Sequence, residues 1–113
     1  MKNLLEETLQ ALENQDLREA DVFWAGSVGH RISWSKFKVL ANKDYDNGYG
    51  GQEVCRDLLI VGKDWWFERH EYDGSEWWEF KKHPQGNLEK EAFLASVFSD
   101  RDCNDTISTV NNI

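Results

Sequence analysis

His70 stands two residues after Glu68 and directly before Glu71, with Asp73 close behind. An imidazole among carboxylates is the composition of a general base. On an extended chain Glu68 and His70 share a face, because successive side chains alternate. Base catalysis also needs walls that exclude water and orient a substrate, and a surface hairpin supplies no such pocket. No catalytic residue is therefore assigned, and a small metal-dependent or acid-base enzyme stands as the alternative to a binding protein.

Two further sets of residues bear on metals. Asn42, Asp44, Asp46 and Glu53 fall at positions 1, 3, 5 and 12 of a calcium loop, but Asn47 stands where such a loop wants glycine. The segment after it reads as a strand where a second helix belongs. These four are weak candidates in what is otherwise a glycine-rich loop, "NKDYDNGYGGQE". Cys55, Cys103, His30, His70 and His83 could together supply zinc ligands, yet no CxxC or HxxxH spacing joins any two of them. Two cysteines are too few for a disulfide scaffold and are expected to be reduced and buried. No cofactor is expected, and no phosphate-binding glycine motif or GxSxG is present.

The aromatic residues point elsewhere. Four of the six tryptophans lie in "KDWWFERHEYDGSEWWEFKK", residues 63–82. "GKD" and "DGS" are turn sequences around period-2 segments, so residues 57–82 are expected to form a three-stranded antiparallel meander. With Asp73 and Gly74 in the tight turn, Tyr72 faces Ser75, Phe67 faces Phe80, Arg69 faces Trp78 and Trp65 faces Lys82. That face is mostly apolar and belongs to the core. The other carries Trp66, Glu68, His70, Trp77, Glu79 and Lys81. Trp66 and Trp77 are either covered, by the N-terminal helix or the segment around Trp24, or exposed. Exposed indoles beside charges are the composition of a binding hot spot.

Other elements must position this hairpin. Leu5, Leu9 and Leu12 recur at the helical period, and Asn3 with Glu6 forms a weak capping box, predicting a helix over 4–14. Val22, Phe23 and Trp24 suit a short strand. Ser33 or Ser35 caps a short helix that buries Phe37, Leu40 and Ala41 and stops at Asn42. Leu58 to Val61, without polar alternation, reads as a central strand covered on both faces. Asn87 opens a last helix over 88–98, burying Leu88, Phe93, Leu94, Val97 and Phe98. The polar tail carries Ile107 and Val110, which suit a strand or a turn. The fold class expected is a single α+β domain, 1–113, with an antiparallel meander of three or more strands packed on N-terminal and C-terminal helices.

Charge narrows the partners. With 21 acids and 13 bases in 113 residues the net charge is −8, a field that repels a phosphate backbone, so direct nucleic-acid binding is not expected. No run approaches the length of a membrane span, and the N-terminal segment carries acids where a signal peptide would be apolar, so a cytoplasmic protein is expected.

The stretch through Trp65, Trp66, Glu68, Arg69, Glu71, Tyr72, Asp73, Gly74, Ser75, Trp77, Trp78 and Phe80 resembles the signature WWxERxEYDGSEWWEFK of small bacteriophage- and prophage-encoded proteins, in which it closes a compact domain. The resemblance spans about a quarter of the chain and brings no activity with it. It implies a mobile-element accessory protein acting inside a bacterium. A non-enzymatic module that docks on a basic host protein is the leading expectation, with an anti-CRISPR or anti-restriction inhibitor as one concrete form. Trp66 and Trp77 would stand at its centre, with Glu68, His70, Glu71, Asp73, Glu76 and Glu79 around them. A homodimer in which the tryptophan face covers itself is a further alternative.

Overall fold

The leucine stripe forms its helix where the period places it. In the computed structural model, which describes residues 1–48, 50–84, 93–99 and 105–112, helix α1 spans Leu4–Asn14 and the Asn3 side chain accepts the Glu6 N–H as its cap. Helix α2, Trp34–Ala41, is capped by Ser33 in the same way. It buries Phe37 and Ala41, but Leu40 is exposed, against expectation. Leu40 and Ala41, at i+3 and i+4 from Phe37, lie about 100° apart around the helix, and with the buried stripe centred on Phe37 and Ala41 the Leu40 side chain falls at its solvent edge.

The class is α+β. Strands β1 (Lys2–Asn3), β2 (Trp24–Ser27), β3 (His30–Ile32), β4 (Asp44–Tyr45), β5 (Leu59–Val61), β6 (Trp65–Tyr72) and β7 (Ser75–Lys82) follow in chain order. Among the described residues, five of them form an antiparallel sheet in the order β3-β2-β5-β6-β7, and β1 pairs with β4 separately. The meander is therefore the larger half of a bigger sheet. The β6–β7 register has Tyr72 opposite Ser75, Phe67 opposite Phe80 and Trp65 opposite Lys82, as the turn dictates. Asp73 and Gly74 both take positive φ, 52° and 86°, the conformation of the two-residue turn that matches strand twist.

Three expectations are corrected in this half. Val22 and Phe23 precede the strand, which begins at Trp24 after a 3-10 turn at Glu19–Asp21, and Phe23 is exposed. The glycine-rich segment is not loop throughout, because its Asp44 and Tyr45 pair with Asn3 and Lys2. Ile60 alone of the central strand is fully buried, while Leu59 and Val61 are half-buried on the opposite face.

The core joins Leu12, Val22, Ala25, Phe37, Ala41, Ile60, Trp65 and Phe67. Ala25, Ile60, Phe67 and Phe80 run as one row across four strands, under α1 and α2. Gly26 sits beside that row at φ +120°, and a Cβ there would lie 2.2 Å from the His30 carbonyl oxygen. Gly26→Ala should cost more than ~1 kcal/mol, since strain and a backbone clash add; urea unfolding measures it.

The chain divides into two compact units, Met1–His83 and Pro84–Ile113. Within the second, Thr106 caps helix α3, Ile107–Asn111. The Asn111 side chain accepts the Ala95 and Ser96 N–H groups and donates to the Ser96 carbonyl. Residues 93–98 form no helix, which corrects that part of the expected 88–98 element, and Phe93, Leu94, Val97 and Phe98 are exposed, not buried as expected. Residues 88–92 of that element lie outside the described residues. Among the described residues no helix is long and apolar enough to cross a membrane.

Candidate protein-binding face

Registry across the sheet builds one mixed face opposite the core. Trp24, Val61, Trp66 and Lys81 align as one row, Gly26, Leu59, Glu68 and Glu79 as the next, and His70 beside Trp77 as the third. Trp77 is 37% exposed and Trp66 is half-buried. Arg31, on β3, stacks its guanidinium 4.4 Å from the Trp24 ring centre. Trp24, Arg31, Leu59 and Val61 belong to this face, and the sequence reading missed them.

The polar groups of the face are arranged in pairs along each strand. Trp66 donates its indole N–H to Glu68 Oε1 at 2.7 Å, and Trp77 donates to Glu79 Oε2 at 2.7 Å. Glu68 Oε2 lies 2.8 Å from His70 Nε2. Each bond links side chains two apart, which a strand puts on one side. The Trp66 N–H, and after it the His70 ring, hold the Glu68 carboxyl below the ordinary carboxylate value. The indole N–H groups are thereby held in place; the Trp66 ring lies 5.3 Å from the His83 ring, and the Trp77 ring is the more exposed of the two.

Glu76 is not on this face. It shares the core side with Trp78, two residues on, and lies 1% exposed, a correction to its expected place on the rim. Its Oε1 receives Arg69 Nη2 at 2.7 Å, and Glu7 on α1 receives Arg69 Nη1 at 2.9 Å. Arg69 also donates to the Tyr45 hydroxyl at 3.2 Å and lies 4.7 Å from the Trp78 ring centre. Burial works against the guanidinium's charge, yet the bonds to Glu76 and Tyr45 and the Glu7 charge outweigh it and raise Arg69 above its ordinary value. The Glu76 carboxylate further accepts the Glu53 and Val54 N–H groups at 2.8 and 3.3 Å. The side chain expected to meet a partner instead ties α1, β4, β6, β7 and the 53–54 segment together.

Burial, and after it the Glu7 hydrogen bond, pushes the Tyr45 hydroxyl from 10.0 up to about 12. The folded state therefore keeps a proton that the unfolded chain releases sooner. Its contribution is whole below pH 10.0 and is lost as pH rises through about 12. Tyr45→Phe should flatten the alkaline limb of a stability–pH curve over that window, and denaturant titrations at stepped pH measure it.

The other candidate residues serve the fold. Glu71 and Asp73 lie exposed at the hairpin end, where Glu71 accepts the Gly74 N–H at 3.0 Å. Asn42 and Asp44 both accept from the Asn3 amide, and Glu53 accepts the Asp46 N–H. Asn47 binds both backbone groups of Glu76. The calcium-loop residues thus stitch the segment to α1 and β7, and no group of three or more His, Cys, Asp or Glu side chains is placed to hold a metal among the described residues. Cys55 is exposed, not buried as expected, and Cys103 lies outside the described residues. A cavity of about 330 Å³ opens beside Phe37, Tyr45, Val54 and Leu58, away from His70. No known protein family, curated protein or solved structure matches the chain.

Proposed function

We propose that this is a non-enzymatic protein-binding module whose open sheet face docks on a basic protein surface. The observation that carries it is the pair of indoles on that face, each already bonded at its N–H to a carboxylate two residues on. Such side chains lose little rotamer freedom on binding, and their carboxylates present negative charge beside large apolar rings. The net charge of −8 steers encounters toward a positive partner. A bacterial mobile-element protein that blocks a host nucleic-acid-binding or defence protein from inside the cytoplasm, in the manner of an anti-CRISPR or anti-restriction inhibitor, is the biological form of this reading. Support for the mobile-element origin is the hairpin signature.

Immobilised protein challenged with bacterial lysate tests the proposal. A partner held at low salt should be released progressively at high salt, because rim charges are screened. Trp77→Ala and Glu68→Lys should each weaken its retention. Retention by both variants equal to wild type, at either salt, would refute the reading.

A further inference from the structure

Strand β7 ends the sheet, and its backbone divides into two sets. In a two-residue hairpin Ser75 bonds to Tyr72, so Ser75, Trp77, Glu79 and Lys81 turn their N–H and C=O groups toward β6. Glu76, Trp78, Phe80 and Lys82 turn theirs outward. The Asn47 amide confirms the alternation by bonding both backbone groups of Glu76 from outside. Among the described residues no other hydrogen bond reaches the outward groups of Trp78, Phe80 and Lys82.

This open edge has a bounded length. Asn47 occupies it at Glu76, and Pro84, two residues past Lys82, has no N–H to offer. A pairing strand is limited to three outward positions centred on Phe80. We propose that the occupant is β7 of a second copy of this chain, antiparallel about a two-fold axis at Phe80, joining the two sheets edge to edge.

Charge selects both the partner and the register. Centred on Phe80, the pairing sets Trp78 opposite Lys82 of the second copy and Glu79 opposite Lys81 of the second copy, each twice by symmetry. Both stops coincide as well, since Glu76 then faces Pro84 of the second copy and neither can add a rung. Shifting the axis to residue 79 sets Glu79 against Glu79, and to residue 81 sets Lys81 against Lys81, with like charges directly opposed. Lysines on an edge strand ordinarily repel added strands, and here each meets a glutamate or an indole.

The apolar row supports the same axis. Ala25, Ile60 and Phe67 are buried, while Phe80, which ends the row at the edge, is half-buried. Its counterpart would lie beside it across the axis and continue the row. This pairing uses the strand edge, leaves the Trp66 face open on the same side in both copies, and stands independently of the function proposed above.

Sedimentation equilibrium over a range of concentrations tests it. Wild type should pass from 13.2 kDa to twice that mass. Glu79→Lys and Lys81→Glu should each raise the dimer Kd by at least about tenfold, since two attractive pairs become repulsive. The double variant E79K/K81E should restore the dimer. Hydrogen exchange on wild type needs no variant, and protection of the Trp78, Phe80 and Lys82 amides should rise with concentration. A wild-type monomer throughout, single reversals without effect, a double variant that fails to recover, or amides indifferent to concentration would each overturn the proposal.

Discussion

Arg69→Ala should lower the stability of the fold by about 3–5 kcal/mol, the usual result of removing one partner from a buried ion pair. The side chains of Arg69 and Glu76 are both wholly buried and Glu7 is 8% exposed, so the change strands two carboxylates around a cavity. For a chain of this size that is a fall of roughly 10–20 °C in melting temperature. Glu76→Gln should cost less, about 1–3 kcal/mol, because an amide oxygen in place of Oε1 still accepts from Arg69 and Val54, while the charge is lost and the Glu53 N–H loses its Oε2 acceptor. A double-mutant cycle between positions 69 and 76, by chemical denaturation, separates their coupling from the share carried by Glu7. Near-additive losses would mean that the network is not one unit.

The second large effect lies on the opposite face and in a different quantity. Trp77→Ala should weaken binding to a captured partner by about thirtyfold or more, the scale of a hot-spot aromatic. Its effect on stability should stay within ~1 kcal/mol, because the ring is more than a third exposed and its N–H bonds only to Glu79. Arg69→Ala and Trp77→Ala thus make opposite pairs of changes. If Trp77→Ala instead lowered the melting temperature as Arg69→Ala does, the indole would be part of the core.

Local signals were the legible ones. The Asn3 and Ser33 caps, the leucine stripe and the Asp73–Gly74 turn each act within a few residues, and a two-residue turn fixes every rung of β6 and β7 by alternation. The same alternation places Glu76 beside Trp78 on the core side, a signal present in the sequence that its charge obscured. Arg69, which it binds, also holds Glu7 and Tyr45, which come from elements far away in the chain, and no spacing links them.

Non-local pairing was not legible. Trp24, Leu59 and Val61 join the outer face through the β2–β5 register, with residues 28–58 between the two strands and no tight turn to set it. The apolar period over 93–98 failed for an identifiable reason: the Ala95 and Ser96 N–H groups are spent on the Asn111 side chain, not on a helical ladder.

A photo-crosslinking side chain placed at His70, on the outer face and away from the β7 edge, tests the binding surface most directly. The control carries it at Val39, 72% exposed on α2. In bacterial lysate position 70 should give a crosslinked product with another protein and position 39 none, and the first should be lost when Trp77→Ala is added. Equal products from both positions, or a product from position 70 that survives Trp77→Ala, would contradict a binding site on this face.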